Sequence, residues 1–128
     1  MNIIDILQAD YQRFPENQTY SIYATKVYFQ DPLNKFTGVE RYKKMINFIQ
    51  TWLVNCKMDL HDIKQDGNKI KTEWTLSWNS PLPWKPKVSI SGYSELTLDA
   101  NNLICSHVDY WYTPLFDVVK QNFKLGNR

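Results

Sequence analysis

Ala24-Thr25-Lys26-Val27-Tyr28-Phe29-Gln30-Asp31-Pro32-Leu33 is the stretch that decides the fold. It reads as a short strand that ends in one acid, fixed by the proline behind it. Gly38 and a strongly amphipathic segment follow closely. This order puts a carboxylate where a small strand leaves the core and a helix closes over it.

The pattern upstream is helical. Asn2 is an N-cap candidate, and Ile3, Ile6, Leu7, Asp10 and Phe14 fall on one side, with Ile4, Gln8 and Tyr11 beside them. Pro15 ends that helix, and a helical turn around Thr19 to Tyr23 leads into a strand at Val27 to Gln30. Downstream, Thr37-Gly38-Val39-Glu40 reads as a capping box. Val39, Tyr42, Met45, Ile46, Ile49, Trp52 and Leu53 then form one helical stripe.

From Asn55 the period changes to two. Cys56, Met58 and Leu60 alternate with polar residues, and Asp66-Gly67-Asn68 predicts a hairpin turn. Ile70, Thr72, Trp74, Leu76 and Trp78 share one face of the returning strand. The stiff Ser80-Pro81-Leu82-Pro83-Trp84-Lys85-Pro86 connection precedes a strand over Lys87 to Leu98, where Gly92 predicts a bulge or bend. A last strand covers Leu103 to Tyr112. Thr113 as cap and Pro114 as first residue then predict a final helix, with Leu115, Phe116, Val118, Val119 and Phe123 on its apolar side. Helices first and an antiparallel meander later define an α+β class.

Composition narrows the function classes. The 128 residues suit one domain, and a net charge of +2 with scattered lysines argues against nucleic acid. No segment is apolar enough to span a bilayer, and the N-terminus lacks a signal-peptide pattern, so a soluble cytoplasmic protein is expected. Cys56 and Cys105 match no metal spacing; they read as buried thiols in a reducing compartment, with a disulfide as the alternative. With two histidines and four glycines, neither a metal site nor a phosphate-binding loop is expected, and no cofactor is implied. Aromatic residues at 15% are enough to fill a core or line a cavity.

The element order and the Asp31-Pro32 step resemble the NTF2-like (SnoaL, ketosteroid-isomerase-like) cone-shaped fold, as one domain over 1–128. The wording also resembles a domain-of-unknown-function family of cyanobacteria and chloroplasts. Its marks are Asp10-Tyr11-Gln12-Arg13-Phe14-Pro15, Val27 to Leu33, Asp59-Leu60-His61, Trp74 to Trp78, Pro81 to Pro86 and His107-Val108-Asp109-Tyr110-Trp111. The resemblance implies a pocket between sheet and helices, but not one chemistry. In the isomerase-like members the acid matching Asp31 is a base that shuttles a proton. Buried among Tyr28, Phe29 and tryptophans, such a carboxylate would suit that task. Their tyrosine and protonated acid would fall near Leu7 and Ser94, which carry neither group. Tyr11 or Tyr93 would have to substitute as donor.

His107, Asp109 and Trp111 share one side of the last strand, and the resemblance favours that side as the cavity wall. Ile104, Val108, Tyr110 and Tyr112 form the other side, which facing outward would suit a homodimer contact. Trp84 reads as a lid, and His61 with Asp59 as an exposed pair. The expected function is binding of a largely apolar or aromatic small molecule. Asp31, Asp109 and His107 would be its polar anchors, and Tyr11, Trp74, Trp78, Tyr93 and Trp111 its walls. The alternatives are a cofactor-free isomerase, dehydratase or cyclase with Asp31 as base, or a dimerising interaction module.

Overall fold

Asn2 caps the first helix as its side chain predicts: Oδ1 accepts the Asp5 N–H at 2.9 Å. The computed structural model describes residues 2–123. Helix α1 spans Ile3–Arg13, and a 3₁₀ turn at Tyr20–Ile22 leads directly into β1, Tyr23–Gln30. Strand β2 is Lys35–Thr37 and helix α2 is Val39–Trp52. The meander follows as β3 (Val54–Asp66), β4 (Lys69–Asn79), β5 (Lys87–Leu98) and β6 (Ile104–Trp111), and α3 is Leu115–Gln121.

The sheet order is β2-β1-β6-β5-β4-β3. All neighbours are antiparallel except β1 and β6, which run parallel. The sheet is therefore mixed, with the first hairpin laid against the last strand of the meander. Helix α1 packs on β3, and α2 on β1 and β3. The core between them holds Leu7, Val27, Ile70 and Leu96 on one side and Phe29, Tyr42 and Ile46 on the other. Burial of such side chains contributes about 1.5–3 kcal/mol each.

Several local expectations are corrected. No capping box forms, because Thr37 is extended and pairs with Tyr28 in β2. Gly38 itself precedes the helix, at φ +117°, and its N–H donates to Val27 O at 2.8 Å. Only glycine takes that backbone conformation without strain. Gly92 makes no bulge either, since it pairs in register with Trp74 of β4 and with Trp111 of β6. A Cβ there would lie 2.2 Å from Tyr110 O and 3.1 Å from the Trp74 ring, so the glycine serves a close approach.

The bulge lies at Cys105 instead, where pairing steps from Thr97↔Ser106 to Leu98↔Ile104. One extra residue reverses the alternation. Ile104 therefore turns inward and is fully buried, away from Val108, Tyr110 and Tyr112. A similar step between Leu60 and Asp62 leaves His61 on the exposed side, against Thr75 Oγ1 at 2.8 Å.

At the C-terminal end, Thr113 does not cap α3. Its hydroxyl accepts the Ser91 N–H, which β6 no longer reaches. Gln121 does the same for Ser89, bonding both its N–H and its carbonyl. Of the apolar set on α3, Val118 is buried, whereas Leu115, Phe116, Val119 and Phe123 are exposed. Trp84 is not a lid: its Nε1–H donates to Asn122 O at 2.8 Å, clamping the proline-rich connection to α3.

Candidate functional site

The inner faces of β4, β5 and β6 build one wall by register. Thr72 lies opposite Ser94 and Ser94 opposite Asp109; Trp74 lies opposite Gly92 and Gly92 opposite Trp111. Helices α1 and α2 supply the facing wall, with Tyr11, Tyr42 and Ile46. Between them lies a cavity of about 510 Å³. That volume is within the usual range for small-molecule sites.

Its deep end carries a linked polar set. Trp74 Nε1–H donates to Ser94 Oγ at 2.8 Å, and the Ser94 hydroxyl donates to Asp109 Oδ1 at 2.5 Å. His107 Nε2 meets the same Oδ1 at 2.7 Å. Against a carboxylate acceptor the imidazole proton belongs on Nε2. Among the described residues no hydrogen bond reaches Asp109 Oδ2, which is not a buried orphan and faces the cavity. His107 Nδ1 is buried without a partner. Its ring lies among Phe29, Tyr42 and Tyr23, with centroids 5.1, 5.8 and 6.4 Å away.

Three phenols surround this set. The Tyr11 hydroxyl lies 2.7 Å from Thr72 Oγ1. Burial, and then the charge of Asp109, push its pKa up to about 12. Tyr23 and Tyr42 share a hydrogen bond of 3.3 Å. Burial raises both, and the Tyr23 neighbour raises Tyr42 further. These phenols stay protonated and neutral near pH 7.

Asp31 does not join them. It sits at the mouth, half-buried, and its Oδ1 accepts the N–H groups of Leu33 at 2.8 Å and Asn34 at 2.6 Å. The Asn34 side chain reaches both carboxylate oxygens at 3.2 Å. This is an aspartate holding its own loop, not a buried base among tryptophans. Tyr28 also points away, with its hydroxyl on Gln30.

Tyr93 is on the outer face, so it walls nothing. It stacks on Tyr110 at 4.8 Å, and Lys71 Nζ lies 4.6 Å from its ring centre. Val108, Tyr110 and Tyr112 share that outer face, with Tyr112 Oη bonded to Glu73. Trp74 is buried, and Trp78 and Trp111 line the cavity half-buried. The cysteines are free thiols on β3 and β6; burial raises Cys56 to about 11.

The sequence reading does not bring Tyr23, Tyr42, Ser94 or Asp10 to the site. Ser94, at the position of the isomerases' protonated acid, links Trp74 to Asp109. Asp10 is buried on the wall, where it accepts from Arg13 Nη2 at 2.7 Å, Thr19 Oγ1 at 2.8 Å and Thr19 N–H at 3.0 Å. Its place in the apolar stripe of α1 was the available signal. Its contacts tie the end of α1 at Arg13 to the following chain at Thr19, which is a structural task. Among the described residues no group of three His, Cys, Asp or Glu could hold a metal ion, and no helix is long and apolar enough to cross a membrane.

The curved mixed sheet, the helices packed on it and the cavity between them define an NTF2-like α+β protein. The chain belongs to the family described as "Uncharacterized conserved protein (DUF2358)", whose match covers residues 1–107. Curated proteins give no sequence match. Solved structures give many. A hypothetical protein with a ketosteroid isomerase-like fold from Catenulispora acidiphila DSM 44928, in complex with trimethylamine, is 15% identical with a TM-score of 0.75. That similarity covers 94% of this chain and 92% of the other. An LEH-like epoxide hydrolase of M. tuberculosis is 15% identical at a TM-score of 0.71, covering 95% and 87%. A SnoaL-like protein from Shewanella putrefaciens CN-32 is 17% identical at a TM-score of 0.66, covering 91% and 82%. At such identity these similarities establish the fold.

Proposed function

We propose that this protein binds a small, largely apolar or aromatic molecule between sheet and helices, with the polar end of that molecule at Asp109. One observation carries the reading: an aromatic cavity of about 510 Å³ whose deep end offers one open carboxylate oxygen. Trp74, Trp111 and Tyr42 give flat apolar walls, and the Ser94 and His107 contacts fix the carboxylate in one orientation. The Catenulispora protein, in complex with trimethylamine, is consistent with small-molecule binding on this fold. The test is mass spectrometry of compounds extracted from the protein purified out of its own cells. An enriched apolar compound is expected; the absence of any enriched compound would count against binding.

A second reading is favoured by the same open Oδ2. A carboxylate held by two donors, with one lone-pair side facing a ligand, can take a proton from it. In that case Asp109, not Asp31, is the base of a cofactor-free isomerase, dehydratase or cyclase. The epoxide hydrolase among the fold relatives is consistent with such chemistry on this scaffold. Conversion of the extracted compound by the wild type, but not by Asp109→Asn, would establish the enzyme.

A further inference from the structure

We infer that the ligand is an amine, bound as its ammonium ion with the N–H groups on Asp109 Oδ2. The inference rests on the binding function proposed above and names the chemical class of the molecule. It follows from a count of donors and acceptors at the deep end of the cavity. The Trp74 Nε1–H is taken by Ser94, the Ser94 hydroxyl by Asp109, and the His107 Nε2–H by the same carboxylate. The Tyr11 hydroxyl is engaged with Thr72. What remains for a ligand is the acceptor Oδ2, beside one hydroxyl proton from each of the pairs Tyr11–Thr72 and Tyr23–Tyr42. A carboxylate or phosphate ligand would find like charge and few free donors there, which costs affinity.

The charge balance points the same way. The other acids on the wall are occupied: Asp10 by Arg13 and Thr19, and Asp31 by its own loop. The cationic side chain on the wall is Lys44, which is exposed on α2. His107 Nδ1 is buried with no partner among the described residues, so a proton there would be unpaired. Among the described residues no lysine or arginine pairs with Asp109, and its one partner able to carry positive charge is His107. Trp74, Trp111 and Tyr11 share this end of the cavity, and electron-rich ring faces attract cations. An ammonium group satisfies both features; an alcohol satisfies only the hydrogen bond.

The test is a calorimetric titration of the full chain with naphthylmethylamine, naphthylmethanol and naphthoate, which share one apolar body. The amine is expected to bind about tenfold more tightly than the alcohol, and the carboxylate most weakly. The net charge of +2 would favour the carboxylate at long range, so an amine preference must arise in the cavity. In Asp109→Asn the amine-to-alcohol ratio is expected to fall to about one. Equal binding of all three, a preference for the carboxylate, or an amine preference that survives Asp109→Asn overturns the inference while the cavity still stands as a binding site. Failure of all three compounds and of the neutral dye Nile red would overturn both readings. Should Asp109→Asn not fold, the order of the three compounds on the wild type decides the matter alone.

Discussion

Ser94 Oγ donates to Asp109 Oδ1 at 2.5 Å across the paired strands β5 and β6. The same oxygen of Ser94 accepts from the indole of Trp74 at 2.8 Å. One hydroxyl thus serves two partners, the buried indole and the half-buried carboxylate. Ser94→Ala would leave the indole N–H without an acceptor and the carboxylate with one donor fewer. A loss of about 2 kcal/mol of stability is expected, measured by urea unfolding. A variant as stable as the wild type would show that the relay is not a structural unit.

Gly92 and Gly67 should respond differently to alanine. At Gly92 a Cβ would collide with the Tyr110 carbonyl, a backbone atom that cannot swing aside. Gly92→Ala should cost roughly 3 kcal/mol or more, or prevent folding. At Gly67 the space is open and only the φ of +59° is unfavourable, so about 1 kcal/mol is expected. Thermal melts of the two variants compare them directly; equal losses would contradict the close approach at Gly92.

Asp31 is expected to matter for its loop and not for the deep site. Asp31→Ala removes the acceptor for Leu33 and Asn34 and should cost about 1 kcal/mol. Asp31→Asn keeps an acceptor oxygen and should cost less. Uptake of Nile red by both should stay close to wild type. A strong loss of uptake in Asp31→Asn would return this residue to the centre of the site.

Alkaline pH should destabilise the fold through its buried phenols. Tyr11 is raised from the ordinary 10.0 to about 12, and Tyr23 and Tyr42 are also raised. The unfolded chain releases those protons near 10, whereas the folded chain retains them. The stabilisation is therefore complete below about pH 10 and is lost as pH rises through about 12. Urea midpoints across that window should fall, and Tyr11→Phe should flatten the decline. A midpoint independent of pH over this window would refute the burial of these hydroxyls.

Much of this architecture was legible in alternation alone. Ile70, Thr72, Trp74, Leu76 and Trp78 share the inner face of β4 as their spacing requires. What alternation cannot show is an inserted residue: the bulge at Cys105 turned Ile104 inward while leaving His107 and Asp109 on the cavity side. Nor does a motif reveal its hydrogen-bond partners. Asp31 next to Pro32 is equally compatible with a buried base and with a loop cap, and Asn34 decides for the cap. Tyr93 was assigned to the wall for its aromatic ring, although Ile90 and Leu96 already fixed the inward parity of β5 against it. Strand β2 was missed because three residues carry too little periodicity to register. The relay through Ser94 depends on cross-strand register, which one chain segment read alone does not contain.

The central claim is that the space between sheet and helices receives an apolar molecule. Its most direct test is a calorimetric titration of the full chain with Nile red, repeated on Leu76→Trp, which places a larger ring on the cavity wall. One saturable site in the wild type, lost in Leu76→Trp, is the expected result. No saturable binding to the wild type, or binding that Leu76→Trp leaves intact, would contradict it.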